Sequence, residues 1–143
     1  MFILDTNVVS ELRKAKAGKA NPGVAAWAGN VDVGALFLSA ISILELETGV
    51  LLVERRDATQ GKILRTWLQE QVLPVFAGRI LAIDSSVAVR CAQLHVPDPR
   101  ADRDALIAAT AVVHGMSVVT RNVSDFELTG VPIINPWTPS PGD

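Results

Sequence analysis

Phe2-Ile3-Leu4-Asp5-Thr6-Asn7 is the stretch whose reading decides the fold. Its three apolar residues make a run of the length a short buried strand needs, and Asp5 closes it. Thr6 and Asn7 are helix-starting residues, and Val8–Lys14 continues with apolar spacing suited to a short helix. A buried strand passing straight into a helix is the repeating unit of a parallel sheet.

The same alternation continues along the chain. Ala15–Asn21 reads as a loop, and Pro22 opens a short helix that ends near Gly29. Ala35–Ser39 is the second strand. Ser42-Ile43-Leu44-Glu45 matches a capping box, so Ser42 is expected to cap a long helix reaching about Arg56. Asp57 caps the next helix, which carries Trp67, Leu68, Val72 and Leu73 before Pro74 ends or kinks it. Arg79–Asp84 is the third strand, and a helix from Ser85 or Ser86 runs to about Leu94. Pro97-Asp98-Pro99 breaks the chain into a loop. Asp102 or Arg103 begins the helix Ala105–His114, which stops at Gly115. Met116–Thr120 and Val131–Ile134 supply the last two strands. The pattern predicts a single α/β domain over 1–134, a three-layer sandwich whose parallel sheet of about five strands is covered by helices on both faces. The tail 135–143, with three prolines, is expected to be loose. In such a sheet the active crevice lies at the carboxyl ends of the strands.

Bulk composition narrows the classes. A chain of 143 residues buries roughly two-thirds of its unfolded surface, enough for a core without staples. No apolar run approaches the roughly 20 residues of a membrane span. The N-terminus lacks a basic flank and a cleavage site, so it does not read as a signal peptide. Cys91 is the single cysteine, which excludes intramolecular disulfides and fits a reducing cytoplasm. The net charge of −2 gives no global attraction to nucleic acid. Two local basic clusters, Arg13–Lys14–Lys16–Lys19 and Arg55–Arg56–Lys62–Arg65, read either as solvated helix ends or as a track for an RNA backbone.

The chemistry-bearing residues are acids. Asp5 ends the first strand, Asp125 lies five residues beyond the fourth, and Glu45 and Asp104 fall in the first turns of helices. All four are expected on the carboxyl-end rim. Four crowded carboxylates repel one another unless some protonate or a cation joins them. An all-oxygen set selects a hard ion, Mg²⁺ or Mn²⁺, over zinc, and such ions suit phosphodiester hydrolysis by activated water. Each acid also has a plainer reading. Asp5 could cap the first helix, although Asn7 already offers a cap. Glu45 could belong to the capping box alone, and Asp125 could cap a turn. Asp102 is expected to be the helix cap beside Asp104, and Asp84 the cap of its own helix. Glu47 points to another face than Glu45, and Glu11 is expected to face solvent. His95 and His114 suit helix ends, and Cys91 is core filling. Trp27, Trp67 and Trp137 read as core or interface, with Trp67, Leu68, Val72 and Leu73 a candidate docking surface.

The runs Leu4-Asp5-Thr6-Asn7-Val8, Leu38-Ser39-Ala40-Ile41-Ser42-Ile43-Leu44-Glu45-Leu46, Asp104-Ala105-Leu106-Ile107-Ala108-Ala109-Thr110-Ala111 and Val119-Thr120-Arg121-Asn122-Val123-Ser124-Asp125-Phe126 resemble PIN-domain ribonuclease toxins of the VapC type. Asn135-Pro136-Trp137 resembles the tail of their FitB-like branch. The resemblance implies a homodimeric Mg²⁺- or Mn²⁺-dependent endoribonuclease, with a cognate antitoxin that binds the dimer and an RNA substrate. DNA would be met only indirectly, through the antitoxin. It also implies that Asp5, Glu45, Asp104 and Asp125 bind metal, that Thr6 and Asn7 line the site, and that Thr120 and Asn122 support water at the metal. The family often has an acid where this chain has Asn122, which bears on the number of metals. Two other classes compete: phosphoaspartyl proteins, which need a late lysine where this chain's last is Lys62, and a toxin-like subunit that serves mainly as half of a DNA-binding autoregulatory complex.

Overall fold

The computed structural model describes residues 1–138; residues 139–143 of the tail lie outside the described residues. Five parallel strands, β1 (Phe2–Leu4), β2 (Leu36–Ser39), β3 (Ile80–Leu81), β4 (Ser117–Val119) and β5 (Ile133–Ile134), pair in the order β3-β2-β1-β4-β5. The chain builds outward from β1 to β3 on one side, then returns to add β4 and β5 on the other. The strand order therefore reverses beside β1, and the crevice of an open α/β sheet opens at such a point. This is the predicted sandwich, with β3 and β5 shorter than their apolar runs suggest.

Alternation along the strands divides the core. Ile3, Val118, Leu81 and Ile133 face a layer made of α6 (Ser85–Leu94) and α7 (Asp102–His114). Leu4, Leu36, Leu38, Val119 and Ile134 face the other layer. That layer contains α1 (Thr6–Leu12), α2 (Pro22–Gly29), α3 (Ala40–Arg56), α4 (Ala58–Trp67) and α5 (Leu73–Val75). Between α4 and α5, Leu68–Val72 form a π-turn in which Leu73 N–H reaches Leu68 O, five residues back. Pro74, which has no N–H to give, follows directly, so the kink anticipated there takes the form of a widened turn. No described helix is long and apolar enough to cross a membrane.

Three sequence expectations change. Leu68 and Val72 are 2% and 4% exposed and belong to the chain's own core, so they offer nothing to a partner; Trp67 is half-buried beneath Arg13. Arg65 is committed to Glu54 at 2.9 and 3.2 Å and to Glu47, which removes it from the second basic cluster. The tail is not loose where described: Pro136 is buried, Trp137 packs on the α1–α5 layer, and Asn135 Oδ1 accepts from Trp137 N–H.

Helices α3 and α4 cross at Gly61. A Cβ there would lie 2.5 Å from Glu54 Cα and 2.9 Å from Glu54 N. Gly61→Ala gains about 1 kcal/mol in helix propensity. It also forces two backbones apart, which costs about 1–3 kcal/mol or more because neither can yield like a flexible side chain. The clash should win, so Gly61→Ala lowers the urea midpoint. A midpoint at or above wild type would show that propensity dominates.

Candidate active site

Asp5 stands where β1 meets α1. Its N–H still donates to Val119 O of β4 at 2.9 Å, so the chain leaves the sheet only after this residue. Asp5 Oδ1 accepts from Thr6 N–H at 2.8 Å, and Oδ2 accepts from Thr120 Oγ1 at 2.8 Å and Asn7 Nδ2 at 3.2 Å. Asp5, not Asn7, is thus the cap of α1, and capping uses one oxygen while Thr120 and Asn7 hold the other. Asp5 as a whole is 6% exposed. Burial pushes its pKa up, the bonds from Thr120 and Thr6 pull it back, and repulsion from Glu45 and Asp125 pushes it up further.

The capping box does not form. Ser39 caps α3, its Oγ accepting from Ile41 N–H at 3.0 Å, so the helix begins at Ala40. Glu45 consequently lies in the second turn rather than the first, beyond most of the helix-end charge. Ser42 is fully buried inside the helix, with its Oγ 3.1 Å from Thr6 Oγ1. Thr6 Oγ1 is 2.8 Å from Glu45 Oε1. A hydroxyl has one proton to give. Thr6 gives its proton to Glu45, which leaves Ser42 to donate to Thr6. Ser42 is therefore a positioning residue that the sequence disguised as a cap. On the other oxygen, Arg103 Nη1 lies 3.7 Å from Glu45 Oε2.

Asp104 is the third residue of α7, in the first turn as expected. Asp102 is not its helix cap. That position falls to Ala101, while Asp102 reaches out to His95 Nε2 at 3.4 Å. Burial, then repulsion from Asp125, Asp5 and Glu45, push the Asp104 carboxyl up to about 6. Asp125 is exposed at the end of the 3₁₀ turn Val123–Asp125. Asn122 N–H donates to Thr120 Oγ1 at 3.0 Å, and Asn7 Oδ1 accepts from Arg121 N–H at 3.4 Å. Thr120 thus commits its own hydroxyl proton to Asp5.

The other candidates resolve as structural. Asp84 caps α6 through Val87 N–H at 3.0 Å, and Glu47 pairs with Arg65. Glu11 does not face solvent: its side chain is 12% exposed and accepts from Asn21 N–H at 3.0 Å, tying α1 to the start of α2. His95 Nδ1 accepts from Arg100 N–H, which shapes the loop before α7. Cys91 is core, and Trp27 packs edge-on against Phe2 at 5.3 Å. An apolar groove of about 280 Å³ between α1 and Trp67 carries none of the four acids.

Asp5, Glu45, Asp104 and Asp125 thus come from four separate segments, and Asp5 and Asp104 each lie within electrostatic reach of the other three. Among the described residues, Arg103 on Glu45 is the one ion pair any of them makes. No three are already drawn to ligand distance around one point. Their excess charge and all-oxygen chemistry nonetheless fit a hard divalent cation.

A carboxyl that holds its proton more tightly when folded loses stability as pH rises. For Asp104 the window lies between its ordinary 3.8 and about 6. With chelator present, Asp104→Asn should therefore have a higher Tm than wild type above pH 6, and the gap should close below pH 4. Parallel Tm-versus-pH curves for the two proteins would contradict this electrostatic picture.

Residues 2–130 match the PIN domain family. The chain is 40% identical to VapC ribonuclease Y4jK of Sinorhizobium fredii, over 98% of this chain and 100% of that one. It is 37% identical to the toxin FitB of Neisseria gonorrhoeae, over 96% and 99%. The solved structure of FitAB bound to an IR36 DNA fragment superposes with a TM-score of 0.89 at 34% identity, covering 100% of both chains. With the family matched over nearly its whole length and with relatives of this kind, the chain belongs to the PIN-domain family, in its branch of VapC- and FitB-like toxins.

Proposed function

We propose that this protein is a cytoplasmic, Mg²⁺- or Mn²⁺-dependent endoribonuclease toxin, paired with a cognate antitoxin. One observation carries the reading: four acids with almost no cationic compensation gather where the strand order reverses, in a chain 40% identical to a named ribonuclease. Asp5, Glu45, Asp104 and Asp125 are the residues that would hold the ion. When bound, such an ion acidifies water and offsets charge on phosphate and leaving oxygen.

The chain's own residues do the rest. Thr120 and Asn7 fix the Asp5 carboxylate, and Ser42 fixes Glu45 through Thr6. Asn122 offers an oxygen without charge, which favours a single strongly held ion. His95 bonds Arg100 and lies beside Asp102, and His114 ends α7 at the opposite end from Asp104, so neither is placed as a general base at the four acids. An open, exposed rim suits unpaired RNA, whose bases can be splayed away from the backbone. Leu44, Leu51 and Leu52 expose 48%, 53% and 58% of their surface along α3 and favour a homodimer. A second reading draws on FitAB having been solved on DNA. In it the chain serves mainly as the dimeric half of an autoregulatory complex and has little nuclease activity.

Wild type and Asp5→Asn, expressed from a tightly controlled promoter, separate the two. Growth arrest with discrete new RNA 5′ ends in wild type alone supports the nuclease; folded protein without arrest or new ends supports the regulatory subunit. In cleavage assays Asp5→Asn or Asp104→Asn should lose at least about 100-fold. Thr120→Val and Ser42→Ala, which disturb only the support of an acid, should lose about 10- to 100-fold. Wild-type cleavage rates in folded Asp5→Asn would remove the metal-centred assignment.

A further inference from the structure

We infer that Arg103 and Arg121 form a two-point guanidinium clamp for the phosphate backbone of unpaired RNA beside the acidic rim. The inference rests on the ribonuclease reading and adds how a chain of net charge −2 can hold a polyanion against four carboxylates.

Arg103 is the second residue of α7, next to Asp104, and its side chain is 53% exposed. Its guanidinium sits 3.7 Å from Glu45 Oε2, while Thr6 holds the other Glu45 oxygen at 2.8 Å. A half-exposed pair at this separation is weak, so exchanging it costs little. Once Glu45 turns to a divalent cation, Arg103 keeps its charge and its five N–H donors but loses its partner. Phosphate oxygens match that fork.

Arg121 follows Thr120 at the end of β4. Its backbone N–H donates to Asn7, which in turn bonds Asp5. Its guanidinium carbon lies 5.7 Å from the Trp137 ring centroid. Attraction to the indole ring holds the guanidinium over Trp137, with Glu11 also within electrostatic reach, and neither uses up its five N–H donors. Trp137 is itself anchored, packed on the α1–α5 layer and bonded through Asn135. Other arginines are spent within the fold: Arg65 on Glu47 and Glu54, Arg100 on Leu94 O and Leu128 O, and Arg79 on Val75 O.

The test uses full-length protein in the catalytically silent Asp5→Asn background, a fluorescein-labelled single-stranded 12-nucleotide oligouridylate, and Mg²⁺. Binding is followed by anisotropy across salt concentrations. Each phosphate contact contributes about 0.7 to the slope of log K against log salt for a single strand. Arg103→Ala and Arg121→Ala should each reduce that slope by about 0.7, and the double variant by about 1.4. Arg103→Lys and Arg121→Lys should keep it. Arg90→Ala, an equal charge loss where Arg90 bonds Gln93 along α6, should also keep it. In the active background the alanine variants should raise KM with kcat within a few-fold. Unchanged slopes in folded alanine variants, with RNA still cut by wild type, would overturn the clamp and leave the ribonuclease reading standing. No salt-dependent RNA binding by the parent, with no cleavage by wild type, would overturn both.

Discussion

The carboxylate of a buried aspartate must be compensated, and Asp5, 6% exposed, is compensated from both halves of the sheet. Thr6 N–H, from the chain leaving β1, holds one oxygen; Thr120 Oγ1, from the chain leaving β4, holds the other. These two strands are neighbours in space but more than a hundred residues apart in sequence. The bond that satisfies Asp5 therefore also records the topology. If β4 were not laid beside β1 in parallel register, Thr120 could not arrive and the acid could not stay buried.

The rest of the site is arranged around that acid at an electrostatic cost. Burial and mutual repulsion raise the carboxyl pKa values of Asp5 and Asp104 together. Sites that oppose their own stability in this way are commonly functional, because the cost is recovered when a ligand of opposite charge binds. The hydroxyl and amide groups of Thr6, Ser42, Thr120 and Asn7 keep the acids oriented without neutralising them. Arg103, the one paired cation at the rim, is held too weakly to close the site.

Much of this was legible in the residues, for physical reasons. The strand–helix alternation is a periodicity signal, and the acids at strand and helix ends fall where an α/β sheet places its crevice. What stayed hidden depends on tertiary contact. Ser39 and Ser42 both suit a helix cap, and only the burial of Ser42 against Thr6 decides between them. Leu68 and Val72 look like an exposed apolar stripe until the π-turn after Trp67 rotates them into the core. Glu11 reads as surface because its partner, the backbone N–H of Asn21, comes from an adjacent helix start. Nothing in the sequence marks Arg103 or Arg121, since nothing local announces Glu45 or Trp137 beside them.

The most direct test of the central claim is a crystal structure of the protein with Mn²⁺, read by anomalous scattering. The account predicts a Mn²⁺ peak at the carboxyl ends of β1 and β4, within ligand distance of Asp5 and at least one of Glu45, Asp104 and Asp125. It also predicts Arg103 displaced from Glu45 where Glu45 has turned to the ion. A fully loaded crystal with Mn²⁺ bound elsewhere, or with no peak among these acids, would contradict it.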